Sequence, residues 1–214
     1  MPYNILIIDD DKDFRKEFKE FFFDYTVLEA ADGREALQIL NQINIIDLGN
    51  IKTGQSYNDT TAAIKDIYTE LLTHHIITIV IGGSQDLSLP VFYAYEKFKN
   101  LINFTSIDSE IDLSIELGEI NSANYLAHII LHRNLFRYTH IGHQQYFTDT
   151  RIAELLQKHY HQALRLGVIK NNVCKTEPAL RDSHIVSCDI GVVKQGDASG
   201  KKYGSPNELF ADEI

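Results

Sequence analysis

Short apolar runs alternate with longer stretches of helical periodicity along most of the chain. The apolar runs that have the length of a buried strand are 5–8, Tyr25–Glu29, Ile43–Leu48, Ile76–Ile81, Leu101–Ile107, 135–141 and His184–Ile190. Apolar residues recur at helical spacing over 11–22, 33–40, 59–73, 88–99, 122–132 and 149–166. The pattern therefore predicts strands that alternate with helices from one end of the chain to the other.

This alternation is typical of an α/β fold. We expect three layers, α/β/α, with helices on both faces of a mostly parallel sheet and right-handed crossovers. No internal repeat, low-complexity segment or proline-rich linker divides the sequence, which favours one continuous domain. The segment from Gly196 onward is polar and rich in glycine, as in a loop, and from it we expect a truncated chain.

The composition is that of an acidic globular protein. Hydrophobic residues make up 44% of the 214 residues, and 30 acidic residues outnumber 20 Lys and Arg to give a formal charge of -10. This charge argues against nucleic acid or an anionic membrane as the partner. Cys174 and Cys188 lack the CxxC spacing of a zinc ribbon or redox motif. With no apolar run near the roughly 20 residues of a membrane span and no signal-peptide pattern, we expect a cytoplasmic protein.

Acidic residues follow the first apolar run, at Asp9, Asp10 and Asp11. Acids at the carboxyl end of a buried strand can hold a cation, or they can simply cap the next helix. The stretches ILIIDDDKDFRKEFKEFF and YTVLEAADGREAL resemble the start of a response-regulator receiver domain over residues 3–40. That resemblance implies Mg²⁺ at Asp9 and Asp10 and a phosphoryl group on Asp47. A phosphoryl-accepting signalling module is therefore the alternative function.

A second resemblance covers most of the chain, about residues 46–214. Its motifs are DLGNIKTGQ (47–55), IVIGGSQDLS (79–88), IDSEIDLS (107–114), NSANYL (121–126), IGHQQYF (141–147) and SCDIGVVKQGDASG (187–200). In this order they resemble the ureohydrolase family of arginases, agmatinases and formimidoylglutamases, and the formimidoylglutamase branch most. The resemblance implies an arginase-like fold for 46–214, truncated at its C-terminus, behind a receiver-like βαβα segment at 1–45.

The ureohydrolase resemblance also implies a metal site. The family hydrolyses guanidino or formimino C–N bonds with two Mn²⁺ ions that activate a water molecule. Asp108, Asp112 and Asp189 stand where the family has carboxylate ligands. Gln85 and Glu110 stand where it has histidines, and Gly191 replaces its last aspartate.

These replacements predict a degraded metal site. An amide oxygen is a weak ligand and glycine has no side chain, so we expect at most one hard cation on Asp108, Glu110, Asp112 and Asp189, with Gln85. The other interpretation is that Asp108 and Asp112 only cap a turn. His140 and His143 are expected to be core or rim residues. We therefore expect weak or absent hydrolysis. The resemblance also implies a small amidine or guanidino substrate and an oligomer of identical chains.

Overall fold

The computed structural model describes residues 4–8, 12–13, 16, 19, 26–31, 35, 47–114, 118–132, 135–200 and 206–213. The chain forms two compact units, Met1–Asn50 and Ile51–Ile214. The expected division into residues 1–45 and 46–214, drawn from the two resemblances, stays a prediction. Whether the two units form one continuous domain stays a prediction.

The first unit contains two parallel strands, β1 (Asn4–Ile8) and β2 (Thr26–Ala30). They pair from Asn4 with Thr26 to Ile8 with Ala30. Parallel neighbours need a crossover between them, and the described residues between the strands, such as Lys16 and Lys19, are helical. Both strands agree with the prediction.

The second unit is built on a parallel sheet of four strands in the order β5-β4-β3-β6. The strands are β3 (Leu101–Ile107), β4 (Leu135–His143), β5 (Gln162–Arg165) and β6 (Ile185–Cys188). The helices are α1 (Tyr57–Thr73), α2 (Ser88–Tyr95), α3 (Tyr125–Leu131), α4 (Thr150–Lys158), α5 (Leu166–Asn171) and α6 (Glu177–Arg181). Among the described residues, no helix combines the length and the apolar character needed to cross a membrane.

Apolar side chains pack on both faces of this sheet. One cluster joins Ile102, Phe104 and Tyr138 of the strands to Phe92 of α2 and Ile129 of α3. A second cluster joins Ile141 to Leu166 and Ile169 of α5 and to Val192. Tyr138 and Ile141 are three residues apart on β4, so they point to opposite faces of the sheet. The three-layer α/β/α arrangement is confirmed.

Two local predictions are wrong. Residues 76–81 form no strand, although all but Thr78 are apolar, and Ile79 and Ile81 are 83% and 94% exposed. A strand needs a hydrogen-bonding neighbour, and within the described residues none pairs with this segment. The helix expected over 149–166 ends at Lys158, because Tyr160 has a φ of 60° that a helix cannot contain, and β5 follows.

Candidate functional site

The carboxyl ends of β3 and β6 place two predicted site residues side by side. Ile107 of β3 is in register with Cys188 of β6, so Asp108 and Asp189 follow at equivalent positions on neighbouring strands. The backbone N–H of Asp189 donates to the Ile107 carbonyl at 2.9 Å, which continues the ladder past the strand ends. Asp108 is buried and Asp189 half-buried.

The backbone of Asp108 is held from the side of β4. Its N–H donates to the Ile141 carbonyl at 2.9 Å. Its carbonyl lies 3.0 Å from Nε2 of His140, the donor. Gly142 passes so close that a Cβ there would lie 3.0 Å from the same carbonyl oxygen, and its φ of 102° suits glycine. The position of Asp108 is therefore fixed by its backbone as well as by its side chain.

Gln85 connects the carboxylates. It lies, 9% exposed, at the start of a 3₁₀ turn, Gln85–Leu87. Where both acids are ionised and hold no cation, the amide nitrogen faces them, because an amide oxygen would then meet only acceptors. In that orientation the nitrogen donates to Oδ2 of Asp112 at 2.7 Å and to Oδ2 of Asp108 at 2.9 Å. The amide oxygen accepts from the Ser187 hydroxyl at 3.3 Å.

Asp108 and Asp112 have pKa values above those of ordinary carboxyl groups. Burial raises the pKa of Asp108 from 3.8 to about 7, and the charge of Asp189 raises it in the same direction. Burial likewise raises the pKa of Asp112 to about 9, with added repulsion from Asp108, Asp189 and Glu110. Two carboxyl groups crowded in a low-dielectric site, Asp108 and Asp112, favour a shared proton.

The remaining predicted ligands do not complete a metal centre. Glu110 is exposed, and its backbone N–H donates to Oδ1 of Asp108. Oδ1 of Asp189 accepts from the backbone N–H of Gly191, at the start of the turn Ile190–Val192. Within the described residues, no group of three or more His, Cys, Asp or Glu side chains is arranged to hold a metal ion. Because Glu110 is exposed and Gly191 has no side chain, the donor set does not fit a two-metal centre.

The structure does not test the alternative phosphoacceptor site at Asp9, Asp10 and Asp47. Asp9 and Asp10 lie outside the described residues. Asp47 is described, exposed and outside any strand, and its Oδ1 accepts from the backbone N–H of Gly49 at 2.8 Å. The prediction that these three acids form one site therefore stays untested.

Two groups of polar residues near the site were not predicted. The Ser88 hydroxyl at the start of α2 donates to the Ser187 hydroxyl at 2.9 Å. His140 is fully buried, and its Nδ1 lies 2.9 Å from the Ser106 hydroxyl and 2.8 Å from the Tyr138 hydroxyl. Burial lowers the pKa of His140 to about 3, so its imidazole is neutral. The spacing of Tyr138 and His140, two apart on one strand, is the only sequence signal for this network.

A family model described as the arginase family matches residues 25–203. This match starts inside the receiver-like stretch and includes Asp47, so it does not favour the phosphoacceptor alternative. The comparison by sequence with characterised proteins found no match.

Solved structures show the same fold. Formiminoglutamase from Trypanosoma cruzi with Mn²⁺ superposes with a TM-score of 0.74 at 17% identity, over 99% of this chain and 78% of the other. Formimidoylglutamase from Bacillus subtilis gives 0.68 at 14% identity, over 100% and 73%. Proclavaminate amidino hydrolase from Streptomyces clavuligerus gives 0.64 at 18% identity, over 81% and 62%.

Proposed function

This chain belongs to the arginase family, and on that premise we propose that it binds a small amidine or guanidino compound at its carboxylate site without hydrolysing it. Members of the family act on small guanidino compounds, and the solved structures that resemble this chain include a Mn²⁺-bound formiminoglutamase. The proposal keeps the family's class of ligand. It removes the metal-dependent step that the family uses to cleave a C–N bond.

One observation carries this proposal: Asp108 and Asp189 lie side by side at the ends of β3 and β6, and the side chain that lies against Asp108 and Asp112 is the amide of Gln85. In metal-dependent hydrolysis the carboxylates must be deprotonated and turned toward the ions, because the ions generate hydroxide from bound water. Here Gln85 offers at most a weak amide oxygen beside these carboxylates and Gly191 offers no side chain, so the ligands for two ions are incomplete.

The acids still suit a planar cation. A bound guanidinium group favours the ionised forms of Asp108 and Asp112, and an ionised carboxylate offers about four acceptor positions, more than the Gln85 amide occupies. Asp189 adds a third acid at the same strand ends. Guanidinium and amidinium groups carry fixed N–H donors and a delocalised charge, which match carboxylates in pairs. Such a ligand would offset the repulsion among the acids.

The test separates binding from turnover. Purified protein is incubated with arginine, agmatine or formiminoglutamate in the presence of Mn²⁺, and release of urea, ammonia or formamide is followed. We expect no product above that of the Asp108→Asn variant. In parallel, the melting temperature is measured with arginine and with citrulline, which has the same shape but no charge. Arginine should raise the melting temperature, and citrulline should not.

The Asp189→Asn variant is the control for the site. It keeps the shape of the side chain and removes one charge, so the shift caused by arginine should shrink. Product release that exceeds the Asp108→Asn background would contradict the absence of hydrolysis. Equal effects of arginine and citrulline would contradict the binding of a guanidinium group.

A further inference from the structure

We infer that a cleft between α1 and α2 binds a small aromatic carboxylate. The cleft has a volume of about 210 Å³ and is lined by residues of both helices and by Ile120. The described residues that line it include none of the four side chains at the carboxylate site, which are Gln85, Asp108, Asp112 and Asp189. The inference therefore concerns a second site and goes beyond the proposed function.

The walls of the cleft are mostly apolar. α2 contributes the buried side chains of Leu89 and Pro90 and the ring of Tyr93, and α1 contributes the ring of Tyr57. Sites for small molecules are concave and largely apolar, with a few polar groups that fix the orientation of the ligand. A cavity of roughly 150 Å³ is enough to hold benzene. The cleft therefore has room for one aromatic ring with a short side chain.

Lys65 gives the cleft a positive charge. Among the described residues that line the cleft, it is the only one with a charged side chain. Its ammonium nitrogen lies 5.8 Å from the centre of the Tyr93 ring, a cation–π contact that holds the charge at the wall of the cleft. Lys65 would repel a cationic ligand. A ligand with a carboxylate beside its ring offsets this charge and packs its ring along the apolar walls.

A buried acid at the other end of the cleft determines which way the ligand lies. Burial raises the pKa of the Tyr57 hydroxyl, and the charge of Asp86, which is 4% exposed, raises it further. An anionic group is therefore disfavoured at the Tyr57 end. Tyr57 and Lys65 are eight residues apart on α1, which is about 12 Å along the helix axis. The carboxylate of the ligand should thus lie at Lys65 and its ring toward Leu89.

A pair of probes separates the charge of the ligand from its shape. The probes are 4-fluorophenylacetate and its uncharged counterpart 4-fluorophenylacetamide, and binding is followed by broadening of their ¹⁹F signals as protein is added. A ligand of this size should bind the wild type with a Kd on the order of 1 mM. The amide should bind roughly three- to tenfold more weakly, because it lacks only the charge that meets Lys65.

Removal of the lysine charge should have the same effect as removal of the ligand charge. Lys65→Met keeps an unbranched apolar side chain, so it should weaken binding of the acid roughly three- to tenfold and make acid and amide bind alike. Lys65→Arg should keep the preference for the acid. Lys170, whose ammonium lies 5.6 Å from the centre of the Phe210 ring, provides the matched control Lys170→Met. This variant should bind both probes as the wild type does.

A second change blocks the cleft without touching its charge. Ala62 lines the cleft from an exposed position on α1, so Ala62→Phe should fill the space and abolish binding of both probes. Ala153, exposed on α4, provides the control Ala153→Phe. Melting temperatures close to that of the wild type should show that both variants fold.

Two outcomes with the wild type would overturn the inference whatever the variants do: no broadening of the acid signal, or equal affinities for acid and amide. Folded Ala62→Phe that binds the acid as well as the wild type would also overturn it, as would equal effects of Lys65→Met and Lys170→Met. Asp189→Asn should bind the acid normally, because Asp189 lies outside the cleft. Loss of binding in that variant would place the probe at the carboxylate site and contradict a second site.

Discussion

His140 shows how one buried side chain supports the site without facing it. Its Nε2 donates to the Asp108 carbonyl, and its Nδ1 lies within hydrogen-bonding distance of the Ser106 and Tyr138 hydroxyls. His140→Leu should lower the free energy of unfolding by about 2–4 kcal/mol, because buried polar groups would lose their partner. Tyr138→Phe, which keeps the ring, should cost about 1 kcal/mol. Urea unfolding at pH 7 measures both, and a His140→Leu variant as stable as the wild type would refute this role.

At the scale of single residues, the sequence predicted the acids of the site better than the buried polar side chains that hydrogen-bond around them. Asp108 and Asp189 end strands that are in parallel register, so a motif at each strand end was enough to bring them together. The partners of His140 and Ser187 could not be found in this way. Asp108 is 32 residues from His140, and Ser88 is 99 residues from Ser187. Only the folded chain decides which hydroxyl meets which imidazole.

At the scale of elements, strands were predicted correctly where an apolar run also pairs with a neighbouring strand. Leu101–Ile107 was predicted to the residue, and it lies between two strands of the sheet. Residues 162–165 carry little apolar signal, because β5 is a short edge strand with mostly exposed side chains. Residues 76–81 carry a strong signal and form no strand. Hydrophobic periodicity indicates the tendency of a segment to be buried, whereas strand pairing depends on whether another strand lies beside it.

The exposed apolar segment 76–81 should make the protein associate with itself. Ile77, Ile79 and Ile81 are 76%, 83% and 94% exposed, and an exposed apolar segment that pairs with no strand among the described residues is a template for pairing between chains. Sedimentation velocity over a range of concentrations should show association that the double change Ile79→Lys and Ile81→Lys reduces. Val173→Lys, at a 52% exposed site outside the segment, is the control. Equal association of all three proteins would count against the segment.

For the whole molecule, the alternation of strands and helices was sufficient to predict the class of fold. It gave no information on which strands are neighbours, since the order β5-β4-β3-β6 depends on crossovers that sequence periodicity does not encode. The family match over residues 25–203 spans the boundary at residue 50, so ancestry does not follow the division into two compact units.

The free energy of unfolding should depend on pH because of the carboxylate cluster. Burial raises the pKa of Asp108 to about 7 and that of Asp112 to about 9, against 3.8 in the unfolded chain. The folded state therefore holds more protons than the unfolded state at neutral pH, and the free energy of unfolding must fall as pH rises through these folded values. Between pH 7 and 9 the fall should be about 2–3 kcal/mol.

The range above pH 7 isolates this effect from His140. Burial lowers the pKa of His140 to about 3, so its contribution to stability is fully present above 6.5, the value of the unfolded chain, and declines only at lower pH. The Cys188 thiol, whose pKa is also raised by burial, contributes a fall of the same sign. Asp112→Asn removes the carboxyl group with the highest pKa and leaves Cys188 unchanged. Urea unfolding in EDTA at pH 7, 8 and 9 should give a flatter profile for Asp112→Asn than for the wild type, whereas parallel profiles would show that Asp112 is ionised in the folded protein at pH 7.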